Sequence, residues 1–271
     1  MNASKWLKQN ISSVQGKTVA ISGATGGLGK AFAELFAKDK NNLILVATKE
    51  DKLLEIKKQI IDKYGVLVET FVADLSNQQE REKVFSFAKS LGFVDNLVNN
   101  AGFGDRTDFK NMNIELQLKM VEVNCSAVLY FTKMFMDEML KQNQGHIINV
   151  GSISSFVPGP YFSTYHATKS FVLNLGESVA HEIRKTNVKL LTLCPGPFIS
   201  GFVSKAGNDR VFEKIKPVSA NKVAKYGYKK SKQGKRVAVV GLKNKLTVFF
   251  PRLFSRKFVT ACSANTIKIE D

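Results

Sequence analysis

From Lys17 onward the chain alternates short β-branched apolar runs with stretches whose apolar residues recur at helical spacing, and no other feature constrains the fold as tightly. The runs TVAIS (18–22), LILVA (43–47), VLVETFVA (66–73), NLVNN (96–100), HIINVG (146–151) and VKLLTLC (188–194) read as strands. Nearly all are apolar at consecutive positions, as strands covered by helices on both faces must be. Between them, 27–38, 50–63, 77–90, 113–142 and 164–185 carry the period of amphipathic helices. Strand and helix in strict alternation imply an α/β fold with a doubly wound parallel sheet of the Rossmann kind. RVAVVG (236–241) supplies a seventh strand, and residues 1–271 read as a single domain whose variable end is 201–271.

Composition narrows the class. With 271 residues and 44% hydrophobic content the chain can bury a large core. Its longest apolar stretches fall well short of the ~20 residues of a membrane span, and the N-terminus lacks the apolar centre of a signal peptide. A soluble cytoplasmic protein is the expectation. Cys125, Cys194 and Cys262 are odd in number and widely spaced, and His146, His166 and His181 show no ligating pattern, so neither a disulfide framework nor a metal site is expected. The net charge of +17 is polarised: residues 1–200 hold 23 Lys and Arg against 19 Asp and Glu, whereas 201–271 hold 17 against 4. No nucleic-acid reading motif accompanies that charge, and nucleic acid is not an expected partner.

Directly after the first strand comes Ser22-Gly23-Ala24-Thr25-Gly26-Gly27-Leu28-Gly29, followed by the helix KAFAELFAK. A glycine turn between strand and helix lets backbone amides at the helix N-terminus cradle a pyrophosphate. Gly23 would make the tight turn, Gly27 the close approach of phosphate, and Gly29 the packing of helix on strand.

The spacing G-x-x-x-G-x-G resembles the TGxxxGxG fingerprint of the short-chain dehydrogenase/reductase (SDR) family, with Ser22 where Thr is usual. The resemblance spans about residues 15–200. Asp74 in ADLS matches the family's adenine-contacting aspartate, and Asn99-Asn100-Ala101-Gly102 its NNAG. Asn124 matches its active-site asparagine, Ser152 in GSISS its catalytic serine, Tyr165 and Lys169 its YxxxK pair, and Pro195-Gly196 its PG motif.

The resemblance implies hydride transfer between a nicotinamide cofactor and a carbonyl or alcohol carbon of a small molecule. Asn124, Ser152, Tyr165 and Lys169 would be catalytic. Ser22, Gly23, Thr25, Gly27, Leu28, Gly29, Thr48, Lys49, Asp74, Asn100, Ala101, Gly102, Tyr165, Lys169, Pro195 and Gly196 would bind the cofactor. An unperturbed tyrosine titrates near ~10; Lys169, one helical turn on, would favour the phenolate, and Ser152 would donate to the substrate oxygen. At the end of the second strand Ala47, Thr48 and Lys49 stand where an acid would hold ribose hydroxyls, which favours NADP(H) over NAD(H). Phe103, Phe156, Phe162, Phe198 and Phe202, with Tyr161, fall in segments that border the family's substrate cleft and suit an acyl, steroid-like or other bulky apolar ketone.

The tail has two readings. In KNKLTVFFPRLFSRKFVT (243–260) phenylalanines and leucines alternate with lysines and arginines. Its apolar residues pack on the cleft or on another subunit, or the segment makes a peripheral membrane contact as a basic amphipathic helix, which Pro251 would interrupt unless the helix begins there. The family resemblance also implies a homodimer or homotetramer built on the helices at 113–142 and 164–185. The alternative to an enzyme is a non-catalytic dinucleotide-sensing or membrane-associated binding protein of the same fold; retention of Ser152, Tyr165 and Lys169 favours the enzyme.

Overall fold

The computed structural model of the chain describes residues 16–199 and 217–267. Its strands are β1 (Thr18–Ser22), β2 (Asn42–Ala47), β3 (Val68–Val72), β4 (Asn96–Asn99), β5 (Gly145–Val150), β6 (Val188–Cys194), β7 (Phe198–Ile199), β8 (Val218–Ser219) and β9 (Val237–Val239). β7 and β8 pair only with each other, and the rest form one parallel sheet in the order β3-β2-β1-β4-β5-β6-β9.

Because strand side chains alternate in direction, the apolar runs feed two cores. Val19, Ile21, Leu43 and Leu45 point to one face and pack with Phe32 and Phe36 of α1 (Gly27–Lys38), Leu53 and Ile60 of α2 (Glu50–Tyr64), and later elements of the chain. Ala20, Ile44 and Val46 point to the other. There they meet Phe85 of α3 (Gln78–Ser90), and beyond α4 (Ile114–Val121) the residues Phe131, Phe135 and Met139 of α5 (Ala127–Lys141). Ala180 of α6 (Ser163–Glu182) completes that face, whereas Val223 and Ala224 of α7 (Ala220–Lys232) belong to the first. Strand order reverses between β1 and β4, so the loops leaving their carboxyl ends diverge and open a crevice there.

Two expected helices differ. The stretch 113–142 is divided: α4 and α5 are separated by a π-helical turn, Glu122–Ser126, in which the Ala127 amide bonds back to the Glu122 carbonyl. That wider turn carries Asn124 and turns it into the core, and such an insertion leaves no mark in apolar periodicity. The tail is not one amphipathic helix either. It forms α8 (Leu242–Phe249), a 3₁₀ turn over Phe250–Leu253 with Pro251 in its first turn, and α9 (Arg256–Ile267). Proline has no amide to continue the α8 ladder, which forces the break. The end of α9 is tied back to the main body by the Arg106 guanidinium, whose Nε donates to the Ile267 carbonyl at 2.8 Å, a cation on the negative end of a helix dipole.

Gly29 packs α1 against the turn before it: a Cβ there would lie 2.3 Å from the Gly23 carbonyl oxygen and 2.9 Å from the Ala24 Cα. Helix propensity alone makes Gly→Ala favourable by about 1 kcal/mol. Gly29→Ala should instead lower stability by roughly 1–3 kcal/mol in urea unfolding, the range for overpacking a filled site. A stabilised variant would show that the close approach is not required.

Candidate active site

The crevice at the β1/β4 reversal is a cleft of about 1150 Å³. Its floor begins at the glycine turn. Gly23 has φ +64° and lies so close to the end of β4 that a Cβ would stand 2.8 Å from the Ala101 Cα. Ser22 stitches the two: its Oγ accepts from the amides of Asn100 and Ala101, both at 3.1 Å, while Asn100 Nδ2 donates to the carbonyls of Ser22 and Gly23. Ser22 and Gly29 therefore stand behind the cleft as framework and do not line it, contrary to the expectation that they contact a cofactor. Gly23, Thr25, Gly27 and Leu28 do line it. No side chain caps α1, so the amides of its first turn and the positive end of its dipole are presented to the cleft, which fits a pyrophosphate.

At the end of β2, Ala47 and Thr48 line the cleft. Lys49 does not: it caps α2 and is exposed, and Lys52, one turn further on, reaches the cleft in its place. Asp74 lines the far side with both carboxylate oxygens engaged, Oδ2 by Lys119 Nζ at 2.7 Å and Oδ1 by the amide and hydroxyl of Ser76. Burial works to raise its pKa, but these hydrogen bonds and the Lys119 charge outweigh it and hold the carboxyl below the ordinary value. Asn100, Ala101, Gly102, Pro195 and Gly196 also line the cleft.

Three of the four residues expected to be catalytic, Ser152, Tyr165 and Lys169, line its base, and the fourth, Asn124, lies behind it. Tyr165 and Lys169 lie on α6, buried, and the Ser152 hydroxyl stands close enough to the Tyr165 phenol to work against the rise in its pKa. Ser152 caps the 3₁₀ turn Ile153–Phe156: its amide donates to Ser155 Oγ at 3.2 Å and its Oγ accepts from the Ser154 amide at 3.1 Å, which fixes its rotamer. Asn124 is fully buried and does not line the cleft. Its amide accepts from the Phe103 N–H at 3.1 Å and donates to the Phe103 carbonyl at 2.9 Å and to Thr168 Oγ1 at 3.1 Å. It thereby locks the strand end after NNAG to the helix that bears Lys169.

Burial dominates the electrostatics. It pushes the Tyr165 phenol up to about 12 despite the opposing effect of Ser152, and pulls Lys169 down to about 8. Lys169 Nζ donates to the Val150 carbonyl at 2.8 Å and lies 5.8 Å from the centre of the Tyr165 ring. The thiols of Cys125 and Cys194, whose charges would act on Lys169, are pushed by burial up to about 11 and about 12, so neither is an anion at neutral pH. The expected depression of the tyrosine by the lysine is thus not what this geometry shows. The phenol is held protonated.

Of the expected substrate contacts, Phe103, Phe162 and Phe198 line the cleft, and Phe162 stacks on Tyr165 with ring centres 4.5 Å apart. Phe156 does not line it, and Phe202 lies outside the described residues. The opposite wall comes from the tail: Phe250, Phe254 and Phe258 face the cleft, in keeping with the reading that apolar residues of 243–260 pack on it, and Cys262 and Ile267, which the sequence reading did not single out, join them. The four-residue interval of the three phenylalanines was the available signal.

The family model for short chain dehydrogenases matches residues 17–210. An uncharacterized oxidoreductase of Staphylococcus saprophyticus is 32% identical over 184 residues, 68% of this chain and 79% of that one. A diacetyl reductase of Staphylococcus epidermidis, (S)-acetoin forming, is 33% identical over 182 residues, 66% and 70% of the two chains. Among solved structures, a 7β-hydroxysteroid dehydrogenase superposes with a TM-score of 0.83 at 24% identity, covering 94% of this chain and 99% of its own, which shows a common fold.

The depressed lysine has a measurable signature. Its folded value of about 8 lies below the unfolded 10.5, so between them the unfolded chain holds a proton that the folded one has released. Stability from this residue therefore rises with pH across that window and is lost as pH falls through about 8. Relative to Lys169→Met, the wild type should gain on the order of 2 kcal/mol in urea unfolding between about pH 7 and about pH 9.5. A difference that does not change with pH would remove the shift.

Proposed function

The chain belongs to the short chain dehydrogenase family, whose members are oxidoreductases, and on that premise we propose that it reduces a bulky apolar ketone with NADPH as the hydride source. The observation that carries this reading is the meeting of Ser152, Tyr165 and Lys169 at the base of a cleft whose other end is the uncapped first turn of α1.

A carbonyl oxygen seated between these two hydroxyls accepts from both, and its carbon is thereby polarised. NADPH, when bound, supplies the hydride to that carbon. As negative charge gathers on the oxygen, Tyr165 gives up its proton to it, which a phenol held protonated by burial is suited to do. The resulting phenolate is stabilised by the Lys169 ammonium one helical turn away. Asn124 acts by position: by holding Phe103 and Thr168 it fixes the distance between the cleft floor and α6. In the oxidative direction Tyr165 must first lose its proton, so that direction favours higher pH.

NADPH rather than NADH is supported by Thr48 after β2 and Lys52 in the first turn of α2, a hydroxyl and a cation where a ribose 2′-phosphate would lie; the one acid in the cleft lining, Asp74 after β3, is already paired with Lys119. A bulky apolar substrate is supported by the aromatic lining from Phe103 and Phe162 on one wall to Phe250 and Phe254 on the other. The names of two similar proteins, a diacetyl reductase and a hydroxysteroid dehydrogenase, fit ketone chemistry. We assign the tail beyond residue 217 to the same domain as the cleft's outer wall. The exposed Leu118, Val121, Leu129 and Phe171 on α4, α5 and α6 support a homo-oligomer built on those helices.

Tyr165→Phe should lower kcat/KM for NADPH-driven reduction of any accepted ketone, screened from diacetyl to steroid ketones, by on the order of 10²–10⁴. The rise in Tm produced by NADPH should survive in the same variant. Retained turnover would take the proton-donor role from Tyr165. NADPH should also raise the Tm of the wild type more than NADH at equal concentration, and Lys52→Glu should reverse that order; equal shifts in the wild type would overturn the cofactor preference.

A further inference from the structure

Leu246, Phe249 and Leu253 recur at intervals of three and four along α8 and the turn after it. They are 49%, 52% and 64% exposed and take no part in lining the cleft. Phe250, Phe254 and Phe258 recur at intervals of four. These three line the cleft and are still 51%, 52% and 52% exposed, so rings that line the cleft also reach the outside of the molecule. Lys243, Lys245, Arg252, Arg256 and Lys257 are interleaved with them, and no acidic residue occurs between Pro217 and Ile267.

We propose that this face docks on an anionic lipid surface and that the ketone enters the cleft from it; the second half rests on the ketone-reductase reading above. Charge complementarity selects the occupant. A two-fold contact with a second copy would bring the same five cations against themselves, with no acid in the segment to answer them. Nucleic acid would match the charge but would offer phosphates to the phenylalanines. An anionic bilayer meets both demands, phosphates at the depth of the lysines and arginines and acyl chains at the depth of the rings. Among the described residues no helix is long and apolar enough to cross a membrane, so α8 and α9 lie in the interface. A substrate dissolved in acyl chains would then meet Phe254 and Phe258 before water.

The test is flotation of the full chain with phosphatidylglycerol-containing vesicles and with vesicles of phosphatidylcholine alone. Binding to the anionic vesicles should be on the order of tenfold tighter or more and should weaken with added salt. The double variant Phe249→Asp/Leu253→Asp should lose vesicle binding while it keeps NADPH-driven reduction of a water-soluble ketone, and Lys245→Glu/Arg256→Glu should weaken binding likewise. Absence of flotation, equal binding to both vesicles, flotation that survives Phe249→Asp/Leu253→Asp, or burial of this face in a dimer or on duplex DNA would overturn the proposal. Flotation with no ketone turned over would uphold the docking and remove the reductase reading, so the two failures are separable.

Discussion

The contact between the Gly23 turn and the end of β4 is the constraint on which the rest of the site depends. Parallel order reverses there, and the two strand ends must come within backbone contact for one cleft to receive loops from both halves of the sheet. Four hydrogen bonds cross that seam, from Asn100 and Ala101 to Ser22 and Gly23, saturating groups that would otherwise be buried without partners. Only a residue without Cβ fits at position 23, both for its positive φ and for its distance to Ala101. Once the seam is closed, the first turn of α1 is aimed along the cleft and the chain beyond Ala101 is delivered to Asn124. The first turn of α1 and the Asn124 contact to α6 thus both depend on a single junction.

The base of the cleft is arranged at a cost in stability. Lys169 is buried opposite a neutral carbonyl and near two thiols that stay neutral, with no carboxylate among the described residues to hold its charge. Desolvation that goes uncompensated in this way disfavours folding, and it is retained where a perturbed group has work to perform. Here the work is reciprocal. The same dry surroundings that weaken the lysine keep the Tyr165 proton on until a stronger acceptor develops beside it. In the proton transfer proposed for this site, the phenolate would give the ammonium the anionic partner it lacks, and the pair would be more favourable for having been kept out of water. Electrostatic tension in the resting site would then be relieved in that step.

Much of this was legible in the residues. Strands apolar at every position could only belong to a sheet covered on both faces, and β1 through β6 lie where the runs fell, within two residues at either end. Tyr165, Lys169 and Ser152 were legible because their spacing places them on known ends of known elements. What stayed hidden was geometry that spacing does not encode. The π-helical turn at Glu122–Ser126 leaves apolar periodicity intact and reveals itself only in the direction Asn124 takes. Lys49 and Lys52 both follow β2, and the start of α2 at Glu50 decides which of them faces the cleft. The sign of the Tyr165 shift depended on burial and on where Lys169 Nζ points, and the interval of four residues between them carries neither.

The tail was legible in composition but not in shape, and the reason is instructive about the cleft itself. Pro251 ends α8, and the chain turns through 3₁₀ geometry so that α9 runs back across the cleft to the Arg106 anchor. A single straight helix could have offered its phenylalanines to the cleft or to the outside. The break offers them to both, with Phe250, Phe254 and Phe258 forming a wall one ring thick whose inner and outer surfaces are equally apolar. Such a wall does little to exclude water by itself, because its outer surface is wet in isolation. Under the proposed docking, acyl chains would cover that outer surface and keep the chemistry proposed at Tyr165 dry while the substrate exchanges, and the cations interleaved along it would select an anionic partner.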